Sequence, residues 1–404
     1  MKFPVLKEIE ESFAESWKRI VKILGEVLNT EVVLINSVSN QEIEILKSGS
    51  DGKKYFSDNK VYNLKEVYCE EVVKNKEMLE INNANRSNKW RHYPAAKRGL
   101  VSYLGYPILN PEGKVIGTIC VEDNKERYFS ESEKDLIFQF KEVIENQISQ
   151  LELTRKLENN LEKGKKLHEQ YLPSHLPDIE GLNFGTYYQA AEKLGGDFYD
   201  IIELEDIIVF YISDVSGHDL SSAMLNIFLK ETIQSYLIHN QKEKDMLVPA
   251  KIIHYINENF VEEKFPVNYF ISMILGTIKK ENFKIKLCNA GFQFLPLISR
   301  EDGSVFNLFC KGRPITVLND EVKYDECSYY FRPGDILYLN TDGIFEQTDS
   351  EGNFYDESRL IKLISKNSCI NPDEILQKIY GDFFHFKQDM SIQDDLTSLL
   401  IQRV

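Results

Sequence analysis

Residues 194–219 read LGGDFYDIIELEDIIVFYISDVSGHD. Apolar and β-branched runs at 197–204 and 207–213 predict two strands within this stretch. Asp197 stands at the head of the first strand behind two glycines, and Asp214 directly follows the second. Acidic residues therefore mark the ends of two predicted strands.

The sequence on either side continues in short strands. More strands are predicted at 183–189, 269–279, 284–289, 335–340 and 396–402. Helices are predicted at 221–239 and 249–263, and Asn371, Pro372 and Glu374 start another with a cap, a proline at the first position and an acid at the third. Many strands with helices inserted between hairpins predict an α+β sandwich with helices packed outside.

Two more acidic positions lie at strand ends. Asp342 follows ILYLNT and precedes a glycine, and Asp394, with Asp395 beside it, stands immediately before LTSLLIQ. If one end of the sandwich collects all four aspartates, repulsion and lost hydration are costly unless a cation neutralises them. Carboxylate oxygens suit Mg²⁺ or Mn²⁺. Each Asp beside a Gly is, taken singly, a turn signal, so the metal prediction depends on the four together.

Composition limits the partners. The 404 residues carry 48 Lys and Arg against 64 Asp and Glu, a net charge of −16, which opposes binding to nucleic acid or anionic lipid. The six cysteines include no C-x-x-C pair, so we expect reduced, mostly buried thiols rather than a zinc site or a disulfide framework. Neither an apolar leader core nor a run of ~18 apolar residues occurs, so we expect a cytoplasmic protein with no membrane partner.

The first ~150 residues have the pattern of an α/β domain. Residues 12–28 place apolar residues on one helical face, and 31–35 then switches to a β-branched run. Residues 102–109 and 114–123 predict two strands joined by a hairpin at NPEG. Ser130 with Glu133 opens another amphipathic helix, through residue 150, as a capping box. We interpret these elements as one α/β unit of the size of a sensor domain.

Residues 144–172 predict a connecting helix with an interruption at Gly164. Apolar residues recur in it at three-, four- or near-heptad spacing among many charges. The helix is either a dimer coiled coil or a solvated spacer, and Thr154 and Glu158 on the apolar stripe argue against a long stable zipper. We predict a homodimer, with a sensor domain at 1–147, a helical linker at 148–178 and a third part at 179–404.

Residues 67–73 (VYCEEVV) and 100–123 (LVSYLGYPILNPEGKVIGTICVED), with the flanking helices, resemble a GAF domain. The resemblance implies either a small molecule bound in a pocket or simple dimerisation, and it names no ligand. Cys69 and Cys120 are either ligand contacts or buried small hydrophobic residues.

Five ordered motifs in residues 165–404 resemble the PPM phosphatases, in the bacterial SpoIIE/RsbU branch. They are AAEKLGGDFYDII (190–202), DVSGHDLSSAML (214–225), LCNAGFQFLPL (287–297), FRPGDILYLNTDGIFEQTDSEGNFYDESRL (331–360) and DDLTSLLI (394–401). The resemblance implies a β-sandwich flanked by helices with two Mn²⁺ or Mg²⁺ ions at one end. The implied metal ligands and catalytic residues are Asp197, Asp214, Asp342 and Asp394, with the carbonyl of Val215 as a further ligand. Asp395 would act through water or hold Asp394.

Two positions depart from the family pattern, and neither removes a ligand. Asp219 stands where glycine is common and is able to cap the following helix, and NAGH becomes NAGF with Phe292. His218 is either a proton donor or a turn histidine bonded to backbone. Lys193 either attracts phosphate or is simply solvated.

The sequence leads to three hypotheses. The first is a phosphatase that hydrolyses a phosphoserine or phosphothreonine protein with two metals, needing no Ser or Cys nucleophile; the resemblance implies an anti-sigma-factor antagonist as the substrate, under control of the GAF domain. The second is an inactive phosphatase-like regulator that binds a partner under GAF control. The third makes the N-terminal part a small-molecule receptor with a passive C-terminal domain.

Overall fold

A computed structural model describes residues 5–50, 55–56, 58–192, 194–217, 220–243, 245–318, 322–367 and 370–404. The chain separates into two compact units, Met1–Glu158 and Asn159–Val404, and each is described by itself. The predicted domain limits at 147 and 178 stay predictions. Within the described residues, no helix combines the length and the apolar character needed to cross a membrane.

The first unit is built on one six-stranded sheet of order β3-β2-β1-β6-β5-β4. The strands are β1 Val32–Ser39, β2 Glu42–Ser50, β3 Val61–Asn63, β4 Leu79–Ile81, β5 Ser102–Leu109 and β6 Val115–Asp123. The helices are α1 Val5–Leu28, α2 Cys69–Asn75, α3 Pro94–Lys97 and α4 Glu131–Glu169, whose bounds include residues of both units. Alternate residues of β1 enter different cores, Val33 with Trp17 of α1 and Leu34 with Tyr103, because successive strand side chains point to opposite faces.

Two local signals in this unit are confirmed. The Ser130 N–H donates to Glu133 Oε2 (2.8 Å) and the Glu133 N–H donates to Ser130 Oγ (3.3 Å), which is the reciprocal pair of a capping box. In the hairpin, Asn110 Oδ1 accepts from the Lys114 N–H (2.8 Å), and Gly113 adopts φ 75°. These contacts fix the start of α4 and the β5–β6 turn.

The second unit contains two five-stranded sheets, of order β14-β11-β10-β9-β8 and β13-β12-β15-β16-β7. The strands are β7 Leu182–Gln189, β8 Asp197–Glu203, β9 Ile207–Val215, β10 Ile271–Lys279, β11 Lys284–Ala290, β12 Leu297–Ser299, β13 Val305–Asn307, β14 Glu326–Tyr330, β15 Ile336–Asn340 and β16 Leu396–Arg403. The helices are α5 Leu220–Asn240, α6 Pro249–Glu262, α7 Gly343–Glu346, α8 Glu357–Lys366 and α9 Pro372–Lys387.

The two sheets pack face to face, with helices on both outer faces. Phe210 of β9 shares a core with Leu337 and Ile401 of the other sheet. Val209, which points the opposite way, packs under α5 and α6. Tyr338 of β15 packs under α8 and α9. The predicted α+β sandwich with outer helices is therefore the observed fold.

Several features differ from the sequence expectations. The short strands β12, β13 and β14 were not predicted, because three to five residues carry too little patterning. Gly164 lies inside the continuous helix α4, so the predicted interruption is wrong; a glycine costs a helix only ~1 kcal/mol. Cys310 and Cys327 form a disulfide, so the expectation of reduced thiols is wrong for this pair. Cys369 lies outside the described residues.

Candidate metal centre

Asp197 and Asp214 are cross-strand neighbours. The antiparallel strands β8 and β9 pair Asp197 with Asp214 where β8 begins and β9 ends. The Val215 N–H then donates to the Gly196 carbonyl (3.1 Å), which continues the pairing into the glycine loop. A Cβ on Gly196 would lie 2.7 Å from the Val215 carbonyl oxygen and 3.6 Å from Asp214 Oδ1, so the close approach requires glycine.

The second sheet brings Asp342 and Asp394 to its own adjoining ends. β15 and β16 are antiparallel, and Asn340 at the end of β15 pairs with Ser398 near the start of β16. Asp342 therefore leaves β15 at the place where Asp394 enters β16. A Cβ on Gly343 would lie 2.1 Å from the main-chain oxygen of Asp395, so the turn after Asp342 also requires glycine.

Thr341 joins the two sheets at this end. Its hydroxyl donates to Asp197 Oδ2 (2.7 Å), and its own N–H donates to the Thr397 carbonyl (3.0 Å). Thr341 and Asp197 are both buried, so water competes little for this bond. The sequence analysis missed Thr341, because the contact joins residues 144 positions apart and its local sequence carries no signal.

The carboxylates raise one another's pKa. Burial, followed by the charges of Asp214 and Asp395, raises the pKa of Asp197 well above its usual range. Burial, followed by Asp342 and Asp394, raises the pKa of Asp214 to about 8. Burial, followed by Asp394, raises the pKa of Asp342 to about 6. This mutual destabilisation of the charged forms is what a bound cation relieves.

Asp395 organises the glycine loop. Its carboxylate accepts the main-chain N–H groups of Ala191 (2.8 Å), Gly196 (2.6 Å) and Asp197 (3.3 Å). Burial raises the pKa of Asp395, and these hydrogen bonds oppose the rise. Its N–H donates to Asp394 Oδ1 (2.7 Å). Asp395 therefore holds the loop that carries Asp197 and also orients Asp394.

The oxygen atoms of the proposed ligands are of the type that binds a hard divalent cation. Four carboxylates and the Val215 carbonyl offer oxygen atoms only, as Mg²⁺ and Mn²⁺ prefer. Among the residues that the structure describes, no three acidic, histidine or cysteine side chains are grouped closely enough to hold an ion together. The residues therefore fit the ion in the type of donor atom, and the assignment of ligands stays a prediction. Lys193, His218 and Asp219 lie outside the described residues.

Two parts of the chain match known protein families. Residues 205–404 match the profile of Stage II sporulation protein E (SpoIIE), a match that includes Asp214, Asp342 and Asp394, whereas Asp197 lies ahead of it. Residues 205–404 belong to the SpoIIE family. Residues 13–148 match the GAF domain. SpoIIE domains are PPM phosphatases, a family of generally metal-dependent Ser/Thr phosphatases that use Mn²⁺ or Mg²⁺.

Individual relatives are distant. Protein IcfG of Synechocystis sp. is 25% identical over 326 residues, which cover 74% of this chain and 48% of that protein, so the chain spans about half the length of this relative. The SiaA-PP2C domain of Pseudomonas aeruginosa has a TM-score of 0.54 at 18% identity, over 62% of this chain and 98% of that domain, and it shows the fold. The phosphatase domain and regulatory fragment of SpoIIE from Bacillus subtilis, at a TM-score of 0.45 and 19% identity over 55% and 63% of the two chains, is too distant to add an argument.

An open pocket of about 350 Å³ borders the acidic end of the SpoIIE domain. Asp214 and Asp342 line it on one side. The remaining lining consists of three phenylalanines, Phe270, Phe292 and Phe294, together with Ser272, Gly291, Gln293 and Pro314. The sequence analysis noted Phe292 only as a departure from the family pattern and missed Phe270 and Phe294. In the sequence, these phenylalanines cannot be distinguished from phenylalanines that pack in a core.

The last turn of α4 packs behind the glycine loop of the SpoIIE domain. Nε2 of the buried His168 lies 3.4 Å from Asn226 Nδ2, which also donates to the Gly196 carbonyl (3.0 Å). The His168 ring packs edge-on against Phe198, with centroids 5.9 Å apart. Burial lowers the pKa of His168, which favours the neutral ring. Asn226 thus links His168, at the end of α4, to the loop that carries Asp197.

In the GAF domain, Cys69 and Cys120 are fully buried with their Sγ atoms 3.9 Å apart. The Tyr103 hydroxyl donates to Cys69 Sγ (3.4 Å), and Asn36 Nδ2 lies 3.6 Å from Cys120 Sγ. Both cysteines belong to a core cluster of buried side chains. This environment favours the buried-residue alternative over ligand contact.

Proposed function

We propose that this chain is a metal-dependent phosphatase of phosphoserine or phosphothreonine proteins. The observation that carries the proposal is the convergence of strand-end aspartates from two sheets, joined by the Thr341 hydrogen bond to Asp197. Membership of the SpoIIE family supports the same reaction class. We assign Asp197, Asp214, Asp342 and Asp394 as metal ligands and catalytic residues.

The reaction needs no covalent intermediate on the protein. Two divalent ions, when bound, lower the pKa of water and stabilise negative charge on phosphate. The four aspartates and the Val215 carbonyl would hold and orient the ions. Asp395 keeps the loop of Asp197 in place through three main-chain donors. The groups thereby assemble in a fixed geometry before substrate arrives.

An anti-sigma-factor antagonist in a partner-switching pathway is the proposed substrate, on the resemblance to the SpoIIE/RsbU branch. We propose that the GAF domain regulates the reaction, with or without a small-molecule ligand. The contact of His168 with Asn226 supports a route that runs through the end of α4. A cytoplasmic location and the absence of nucleic-acid and membrane partners stay predictions.

A homodimer is proposed from α4. Leu153 and Leu157 are 70% and 60% exposed and lie four residues apart, on one helical face. Water contact with two such side chains is unfavourable, and pairing with a second copy removes it. A solvated helix remains the alternative, since charged residues surround both leucines.

A second function has one observation in its favour. Because no three acidic side chains in the described part of the chain are grouped as a closed metal site, an inactive phosphatase-like regulator remains a candidate. It would bind a partner under GAF control without hydrolysis. All four aspartates are present, which favours the enzyme.

The test is hydrolysis of a phosphoserine peptide by the full chain. We expect phosphate release with Mn²⁺ or Mg²⁺ and none after chelation, since the reaction depends on bound cations. The same assay on residues 165–404 separates catalysis from regulation. Absence of metal-dependent release from both proteins would favour the inactive regulator.

A further inference from the structure

We propose that the pocket beside Asp214 and Asp342 binds a large apolar side chain that neighbours the phosphorylated residue of the substrate. The proposal rests on the proposed phosphatase function and adds a sequence preference to it. Its basis is an aromatic wall that shares a pocket with two of the four aspartates.

Phe294 is fixed to the turn that presents Asp342. Its ring packs against Phe345, with centroids 4.3 Å apart. The Phe345 N–H donates to the Asp342 carbonyl (2.7 Å). A substrate whose phosphate lies at Asp342 therefore shares the pocket with Phe294.

Phe270 is fixed to the loop that follows Asp214. Its N–H donates to Ser216 Oγ (3.0 Å), and its carbonyl accepts from the Ser216 N–H (3.0 Å). Phe270 is 40% exposed and lines the pocket together with Asp214 and Asp342. Contact of its apolar surface with water is unfavourable, so covering that surface stabilises a complex. A wall held by main-chain bonds is formed before binding, so little ordering is needed when a substrate covers it.

Gly291 and Pro314 form another side of the pocket. Gly291 has φ +81°, and a Cβ there would lie 2.4 Å from Pro314 Cγ. The Phe292 N–H donates to Asn289 Oδ1 (2.7 Å), and Asn289 Nδ2 donates to the Cys310 carbonyl (3.0 Å). Phe292, the residue that departs from the family pattern, is thereby held as part of an apolar lining.

The size and charge of the pocket indicate which substrate side chain it would hold. A pocket of about 350 Å³ has to hold phosphate near Asp214 and Asp342, which leaves room for a side chain rather than a folded element. An acidic side chain there would be repelled by both aspartates. A leucine or phenylalanine would instead cover the aromatic wall and remove apolar surface from water. The expected order of preference is leucine, then glycine, then aspartate.

The test uses the full chain with Mn²⁺ and three phosphoserine peptides that differ only in the residues flanking phosphoserine: leucine, glycine or aspartate. We expect kcat/KM about tenfold higher for the leucine than for the glycine peptide, the scale at which a pocket distinguishes apolar groups. In Phe294→Ala the leucine-to-glycine ratio should fall toward one. Phe354→Ala, at a 66% exposed phenylalanine outside this lining, should keep the wild-type ratio.

Binding of the same labelled peptides, measured by fluorescence anisotropy without turnover, gives a second readout. Equal binding and kcat/KM for all three peptides, or a leucine preference that persists in Phe294→Ala, would overturn the subsite. If no peptide is hydrolysed, the phosphatase proposal fails, and the order of binding in wild type and Phe294→Ala still decides the subsite.

Discussion

Asp395 Oδ2 accepts the main-chain N–H of Gly196 across 2.6 Å, although the two residues are 199 positions apart. The bond ties the start of β16 in one sheet to the glycine loop of the other. Thr341 repeats the connection through Asp197. Asp395 and Thr341, which are not proposed metal ligands, therefore fix the position of Asp197, which is one.

Thr341→Val should lower metal-dependent hydrolysis by about 10–100-fold, the usual cost of losing a group that orients a ligand. The change keeps the side-chain shape but removes the donor to Asp197 Oδ2. Thr277→Val is the matched control, because Thr277 is also buried on a strand of this domain but faces Val209 and Lys286 at the other end of β10. Steady-state kinetics at saturating Mn²⁺ measures hydrolysis by both variants. Equal losses of activity in the two would contradict the role of Thr341 in positioning Asp197.

Glu122→Gln should stabilise the GAF domain increasingly as pH rises. Glu122 is buried with Oε2 unpartnered, and burial, followed by the charge of Cys69, raises its pKa well above the usual range. The unfolded chain releases this proton near pH ~4.3, so the contribution of Glu122 to stability is full below that pH and is lost as pH rises through the folded pKa. Glutamine stays neutral and avoids that loss.

The expected gain at pH 8 is about 1–3 kcal/mol, the cost of an uncompensated buried group, with a smaller gain at pH 5. The chain has two tryptophans, Trp17 and Trp90, and both belong to the first unit, so denaturant unfolding followed by their fluorescence reports on this domain. Glu112→Gln in the exposed hairpin turn is the control. A gain that does not grow with pH would contradict the account of Glu122.

His168→Ala should lower turnover or Mn²⁺ affinity at least about fivefold, the lower end of typical coupling between sites. The ring contacts Asn226, whose amide holds the Gly196 carbonyl, so its removal loosens the loop behind Asp197. His175→Ala, at an exposed histidine six residues after the end of α4, should be neutral. Equal kinetics and metal affinity in both variants would remove the proposed route from α4 to the site.

Leu157→Glu should convert a dimer to a monomer. Leu157 is 60% exposed on α4, and a charge at a paired position is costly to desolvate. Glu162→Gln, at an exposed residue five positions on and about 140° round the helix from Leu157, changes charge away from the leucine face and should leave the dimer intact. Light scattering measures both proteins, and a monomeric wild type would itself contradict the predicted dimer.

The sequence predicted those parts of the fold and site that local patterns encode. Strand-end aspartates, glycine turns and the capping box at Ser130 each depend on neighbours within a few residues. The bonds of Thr341 and Asp395 and the aromatic wall at Phe270 and Phe294 depend on chain segments brought together only by sheet packing. The continuity of α4 through Gly164 was also hidden, because one glycine weakens a helix without ending it.

The most direct test of the central claim is Mn²⁺-dependent phosphate release by Asp342→Asn, measured on a phosphoserine peptide with the full chain. The substitution removes one carboxylate of the proposed centre and relieves its repulsion with Asp394, so the protein should stay folded. Activity should fall by more than ~100-fold, beyond the loss expected for a group that only orients a ligand, while Asp302→Asn in an exposed turn changes nothing. Near-normal turnover in Asp342→Asn would contradict the assigned metal centre.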